Sequence, residues 1–254
     1  MSIQQMINDA AASGQTELDL YNTKLTFLPN ISHLTSLQRL HLTFNNLQTL
    51  PTLPSSLREI DVSNDKLQTL PTLPSSLREI DVSNNKLQTL PTLPPYLQEL
   101  YISGNNLRTL PTLPPTLQIL HVSNNKLQTL PTLPHTLQVL RATNNCLQSL
   151  PTLPPGLQKL DITNNNIRAL SDLSYLTKPH YMGVKRNPIT HSHINNHFLL
   201  KYQIIFNQRD IDTFNAAVSL FTNKSTYFSL LPRDVTSIIE EYISYVPVPF
   251  DRDN

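Results

Sequence analysis

The chain is poor in several residues on which other protein classes depend. It has one cysteine, Cys146, so an intramolecular disulfide is excluded, which favours folding in a reducing compartment or export without oxidative maturation. It has no Trp and only four Gly against 21 Pro. Its turns must therefore be built mainly by residues other than glycine.

Charge and long apolar runs are also scarce. Asp, Glu, Lys and Arg make up 15% of the residues and the net charge is +1, so no bulk charge attracts nucleic acid or an anionic membrane. Basic residues are neither clustered nor interleaved with aromatics, which also disfavours nucleic-acid binding. No apolar run approaches the ~18 residues that span a bilayer, so no membrane span is predicted. The first residues lack the features of a Sec signal peptide, and we expect any export to use another route.

Internal repetition dominates the rest of the sequence. The segment LPTLPSSLREIDVSNDKLQT at 50–69 returns at 70–89 with one change, from Asp65 to Asn85. Four more copies follow at the same spacing, and weaker copies flank the array, which gives nine units between residues 18 and 189. A fixed period of this length is typical of repeat architectures.

Each unit follows the pattern LxxLxLxxNxL, as in Leu77, Ile80, Val82, Asn85 and Leu87. The alternation predicts a short strand with one apolar face, and stacked units bury these faces in a parallel sheet. The asparagine ends the strand, where an inward amide can bond backbone groups that leave the sheet. We therefore predict a ladder of stacked amides at Asn45, Asn85, Asn105, Asn125, Asn145 and Asn165.

The other half of each unit, QTLPTLP, has about ten residues in which to return to the next strand. Its two prolines disfavour a helix and favour an extended path, so the convex side is predicted to be extended and Pro-rich. At the N-terminus, Ile3, Met6, Ile7 and Ala10 follow Ser2 at helical spacing. We predict a helical cap over residues 1–15, a repeat domain over 16–189 and a small α-helical C-terminal region or cap over 190–254.

The twenty-residue units, of the form LPxLPxxLxxLxVxxNxLxxL, resemble the YopM/IpaH class of bacterial leucine-rich repeats. The resemblance implies an α/β solenoid, a leucine-rich-repeat horseshoe with short parallel strands on its concave side. It also implies a virulence effector that leaves the bacterium through a specialised secretion system and acts in the host cytoplasm. Family members that are ubiquitin ligases carry a large separate helical domain with a catalytic cysteine. Here Cys146 lies inside a repeat, at the slot of Lys66 and Lys86, so ligase activity is not implied.

The segment LLPRDVTSIIEEYISY at 230–245 has an apolar helical face after a proline suited to a first turn. It resembles the opening of an F-box, which docks on a Skp-type ubiquitin-ligase adaptor, although a full F-box has three helices. One interpretation is a structural cap. The other is an adaptor-docking helix, whose residues are Leu231, Pro232, Val235, Ile239, Tyr242 and Ile243.

The outward positions of the strands vary more than the framework does, which makes the concave face the expected binding surface. An acidic patch is predicted from Glu59, Asp61, Glu79, Asp81 and Glu99. Beside it we place a mixed strip of aromatic, exposed aliphatic and cationic side chains, namely Tyr101, Ile119, His121, Val139 and Arg141. Such aromatic and arginine anchors are typical of protein interfaces.

The pattern contains no Ser/His/Asp or Cys/His set, phosphate loop or metal motif, so the sequence predicts neither an enzyme nor a cofactor. The favoured function is a non-enzymatic interaction scaffold, a bacterial effector that binds a host protein on its concave face. The alternative is an F-box-like adaptor that links a bound host protein to a host ubiquitin ligase through residues 230–245.

Overall fold

The repeats stack into one parallel sheet. The computed structural model describes residues 2–170, Leu176 and residues 181–189. Nine strands of three residues pair in chain order, each parallel to the next and without a register shift between corresponding residues. They are β1 (Glu17–Asp19), β2 (Arg39–His41), β3 (Glu59–Asp61), β4 (Glu79–Asp81), β5 (Glu99–Tyr101), β6 (Ile119–His121), β7 (Val139–Arg141), β8 (Lys159–Asp161) and β9 (Tyr181–Gly183). The predicted solenoid with short parallel strands is confirmed.

One continuous core runs behind the sheet. In the units of β2 to β8 the four apolar framework positions are buried, as Leu77, Ile80, Val82 and Leu87 show at 1% exposure or less. The segments that return between strands contain no helix within residues 17–170, which agrees with the extended path predicted from their prolines.

Helix α1 (Ile3–Ser13) closes the N-terminal end of the sheet. The Ser2 hydroxyl accepts a hydrogen bond from the Gln5 amide at 3.1 Å, and Gly14 ends the helix in the left-handed conformation at φ 63°. Ile7 and Ala10 are buried and join the core, so the predicted N-terminal helix is present. Predictions for residues 190–254, including the helical region and the segment 230–245, lie outside the described residues.

The asparagine at the end of each strand bonds backbone on both sides of its repeat. Asn85 accepts from the Leu67 amide at 2.8 Å and donates to the carbonyls of Val62 at 2.7 Å and Val82 at 3.2 Å. The same pattern recurs at Asn105, Asn125, Asn145 and Asn165, and a variant of it at Asn45, so these amides tie adjacent units together.

Candidate protein-binding face

The outward side chains of the strands form two straight columns across the sheet, because corresponding residues pair in register. The first column contains Glu17, Arg39, Glu59, Glu79, Glu99, Ile119, Val139, Lys159 and Tyr181. The second contains Asp19, His41, Asp61, Asp81, Tyr101, His121, Arg141, Asp161 and Gly183. The structure thus brings all ten predicted partner-binding residues onto one surface.

The acidic patch stacks like charges directly beside one another. Glu79 pairs in register with Glu59 on one side and Glu99 on the other. Partial burial raises the pKa of Glu79, and the neighbouring carboxylates of Glu99 and Glu59 raise it further. No salt bridge reaches the patch within the described part of the chain, where the ion pairs involve only Glu17 with Arg39 and His41. Adjacent like charges are unfavourable in a sheet, so the patch carries an electrostatic cost in the unbound protein.

Asp61 and Asp81 also have a local structural role that the sequence pattern did not reveal. Each carboxylate accepts a hydrogen bond from the amide two residues later, which is Ser63 for Asp61 at 2.9 Å and Ser83 for Asp81 at 2.8 Å. Asp161 does the same for Thr163 at 3.1 Å. These carboxylates cap the strand end as Asx turns, so they are held back against the backbone.

Three consecutive repeats place a larger side chain at this capping position. These are Tyr101, His121 and Arg141, which lie next to one another in the second column. The rings of Tyr101 and His121 meet edge to face with centroids 4.8 Å apart, and the Tyr101 hydroxyl donates to the Glu99 carboxylate. Burial lowers the pKa of His121 to about 4, and the nearby Arg141 charge contributes, so this imidazole is neutral at pH 7.

The two aliphatic members of the mixed strip are less accessible than expected. Ile119 and Val139 pair in register and face outward as predicted, but each is only partly exposed. Outward side chains in adjacent strands lie close enough to cover part of each other. They lie in the first column, on the same strands as His121 and Arg141.

Comparison with known proteins supports the assignment of the repeats. The family model described as Leucine Rich Repeat matches residues 76–95 and 96–115. The structure of YopM, a leucine-rich effector protein from Yersinia pestis, is similar at 34% identity and a TM-score of 0.68. That match covers 72% of this chain and 52% of YopM, so the chain spans about half the length of that relative.

A Shigella effector leucine-rich-repeat domain is similar at 26% identity and a TM-score of 0.58, over 82% of this chain and 88% of that domain. The repeats belong to the bacterial leucine-rich-repeat family of the YopM and IpaH type. The functional domain of InlJ from Listeria monocytogenes is also similar, at 25% identity and a TM-score of 0.57, over 73% of this chain and 47% of that one. A comparison with curated protein sequences gives no match.

The first leucine-rich repeats carry exposed aromatics that sequence reasoning missed. Tyr21 and Phe44 are 56% and 51% exposed and their rings meet edge to face at 5.8 Å. Phe44 has φ 60° at a slot that most repeats fill with asparagine. Phe27, Tyr96 and Tyr181 are also exposed, and Tyr181 extends the first column beyond Lys159. Comparing each slot across the repeats would have found Phe44, because a bulky residue in a left-handed conformation is uncommon.

The described part of the chain contains neither a metal-binding cluster nor a membrane-spanning helix. Within residues 2–170 and 181–189, no group of three or more His, Cys, Asp or Glu side chains is arranged to hold a metal ion. Cys146 is exposed on a repeat surface. No helix among the described residues is long and apolar enough to cross a membrane.

Proposed function

We propose that this leucine-rich-repeat protein is a non-enzymatic interaction scaffold whose concave face binds a partner protein. The observation that carries the proposal is the change at the capping position of three adjacent repeats. Asp61, Asp81 and Asp161 each cap their own strand end, whereas Tyr101 and Arg141 do not. The exchange places an aromatic pair and a cation side by side on the outward face, and these are residue types that anchor protein interfaces.

The composition of the mixed strip favours a protein over a small ligand. Tyr101 and Arg141 belong to the residue types that anchor protein interfaces, and the partly exposed Ile119 and Val139 lie beside them. The surface is a sheet face spread across several strands rather than a concave pocket of the kind that encloses a small molecule. The acidic patch next to the strip would steer a basic partner surface and raise its association rate.

The cellular setting is part of the proposal. YopM and the Shigella protein are effectors, and their repeats are similar to the array in this chain. We infer that this chain is likewise a secreted effector, exported by a specialised secretion system, that binds a host protein in the host cytoplasm.

The test is capture of host proteins from lysate by the full-length chain and by a variant with Tyr101, His121 and Arg141 all replaced by Ala. We expect the triple variant to lose the captured partner and to keep its melting temperature, because these side chains face away from the core. The matched control replaces Thr72, Thr92 and Thr112, which are exposed in the return segments, with Ala. Retention of the partner by the concave variant, or equal loss in the control, would refute this site.

The alternative function is an adaptor that recruits a host ubiquitin ligase through a Skp-type protein. It rests on the sequence at Leu231, Pro232, Val235, Ile239, Tyr242 and Ile243 alone. A purified Skp-type adaptor should bind the full-length chain and fail to bind an Ile239→Asp variant that still captures the concave-face partner. No binding to the unmodified chain would leave the scaffold as the function.

A further inference from the structure

The outward charges of the sheet are segregated along the array. The two columns contain five carboxylates and no Lys or Arg side chain in β3 to β5, which is the acidic patch. In β6 to β8 the charged members of the same columns are Arg141, Lys159 and Asp161. The net charge of the whole chain is only +1, so the acidic patch reflects how the charges are arranged and not a general excess of acid.

Arg141 is an exposed cation of the second region. It pairs in register with Asp161, but the Asp161 carboxylate accepts from the Thr163 amide at 3.1 Å and from the Tyr181 hydroxyl at 3.5 Å. The ion pairs within residues 2–170 and 181–189 involve only Glu17 with Arg39 and His41, so Arg141 and Asp161 form none. The sign of the face therefore changes from the acidic patch to Arg141.

The two regions are far enough apart to act separately. Glu79 on β4 and Arg141 on β7 are separated by three strand spacings, which is roughly 14 Å at about 4.8 Å each. This separation exceeds the Debye length of about 8 Å at physiological ionic strength, so salt screens one region from the other. A partner therefore meets two distinct charges and not one neutral average.

The surface between the two regions is apolar and aromatic. Ile119 and Val139 pair in register in the first column, and the rings of Tyr101 and His121 meet edge to face in the second. The Tyr101 hydroxyl is bonded to the Glu99 carboxylate, so the ring is what remains for an apolar contact. Along the array the face thus presents an acidic region, an apolar region and a cation, in that order.

We propose that the concave face binds a segment of the partner protein whose own charges are segregated in the opposite sense. Lys or Arg side chains of that segment lie on the acidic patch, an apolar side chain lies on Ile119 and the two rings, and an Asp or Glu side chain meets Arg141. The reverse placement would set cations on Arg141 and carboxylates on Glu79, and such like-charge contacts exclude a wrong arrangement.

The geometry also sets a minimum length for the segment. A fully extended chain advances at most about 3.5 Å per residue, so its basic and acidic residues must be at least about four residues apart to span the roughly 14 Å between the two regions. The inference rests on the proposed function, to which it adds the chemistry of the bound segment and its placement along the array.

The experiment selects random peptides displayed on phage for binding to the full-length chain, and then measures the synthesised peptides against charge-reversed variants. We expect the selected peptides to carry a basic and an acidic residue on either side of an apolar or aromatic one. Arg141→Glu should bind them about tenfold more weakly or worse, and so should the double variant Glu59→Lys with Glu79→Lys. The matched control Lys126→Glu reverses an exposed cation outside both columns and should bind as the unmodified chain does. Melting curves verify that each variant is folded.

Rescue of binding then assigns each end of the peptide to its region. Replacing the acidic residue of the peptide with Lys should restore binding to Arg141→Glu, and replacing the basic residue with Glu should not. For the double variant the two replacements should have the opposite effects, because paired substitutions isolate the interaction between the two residues that are changed.

Rescue of a variant equally from both ends, or from neither, would overturn the inference, as would failure to select any peptide. If the variant lacking Tyr101, His121 and Arg141 still loses the partner captured from lysate, the concave-face function stands and only the charge order fails. Retained capture by that triple variant would overturn the function as well.

Discussion

Asp65 occupies a position of the asparagine ladder, so replacing it with Asn measures what a ladder amide contributes to stability. Asp65 is 8% exposed and accepts from the Leu47 amide at 2.6 Å and the Asn45 amide at 3.4 Å. Asn85 accepts one amide in the same way, but it also donates to two carbonyls. The carbonyls equivalent to these near Asp65 are those of Leu42 and Val62, and each receives one ladder amide instead of two.

Two effects of an Asp65→Asn replacement oppose each other. The charge-assisted bond from the Leu47 amide becomes a neutral one, which is weaker. Against this, burial raises the pKa of Asp65 despite the two backbone hydrogen bonds that lower it, so the ionised carboxylate is disfavoured on balance. The restored amide donor adds to the gain. We expect the variant to be more stable at pH 7 by about 1 kcal/mol, the usual net contribution of one hydrogen bond.

The stability gain should depend on pH in a defined direction. Because the pKa of Asp65 is higher in the folded chain than in the unfolded one, the folded state binds this proton more tightly. The contribution of protonated Asp65 is present below its ordinary pKa of 3.8 and is lost as pH rises through the raised value. Asparagine does not titrate, so the advantage of Asp65→Asn should grow across that window and then stay constant up to pH 7.

The neighbouring repeat supplies the control, because 50–69 and 70–89 differ only at this position. Asn85→Asp should destabilise the array by a similar amount and with the same pH dependence. Urea midpoints followed by circular dichroism at pH 7 and near pH 4 measure both, and midpoints are compared because repeat arrays can depart from two-state unfolding. A midpoint of Asp65→Asn that is unchanged or lower at pH 7 would show that the carboxylate is well satisfied where it lies.

Two further substitutions probe the return segment and the acidic patch. In the return segment, a hydroxyl side chain can donate a hydrogen bond to the preceding repeat, as Thr136 does to the Leu117 carbonyl at 2.8 Å. The equivalent position twenty residues later is Gly156, where a Cβ would meet no atom within 4 Å. Gly156→Thr should raise stability by about 1 kcal/mol more than Gly156→Ala, measured by urea midpoint, and equal effects would exclude the bridge. Glu79→Gln should stabilise the folded chain by roughly 0.5 kcal/mol at pH 7, because it relieves the repulsion between neighbouring carboxylates. Since the pKa of Glu79 is raised, protonation in acid removes the same repulsion from the unmodified chain. A gain that persisted near pH 3 would therefore show that charge is not the cause.

The framework could be predicted because each of its positions has the same surroundings in every repeat. The same buried positions recur in repeat after repeat, as at Leu77, Ile80, Val82 and Leu87. Periodicity alone therefore identifies the strand and its buried face. The N-terminal helix followed from helical spacing after Ser2 in the same way.

The detailed site could not be predicted to the same degree, because outward direction does not determine what a side chain contacts. Asp61 and Glu59 lie on the same surface, yet the carboxylate of Asp61 folds back to cap the Ser63 amide. The edge-to-face pair of Tyr101 and His121 depends on the in-register pairing of two strands, twenty residues apart in sequence. Such contacts join different repeats, and a pattern read within one repeat does not contain them.

In three central repeats Tyr101, His121 and Arg141 replace the capping aspartate, so the backbone amide at the strand end needs another acceptor. The amides of Ser123 and Thr143 recover an acceptor from the serine hydroxyl of the preceding repeat, at 3.1 Å and 3.2 Å. The array can therefore accommodate His121 and Arg141 with its backbone satisfied. At Tyr101 the Ser103 amide has no acceptor among the described residues, although Ser83 carries the equivalent hydroxyl one repeat earlier. An unpaired donor lowers the stability of the free protein unless water or a ligand bonds it.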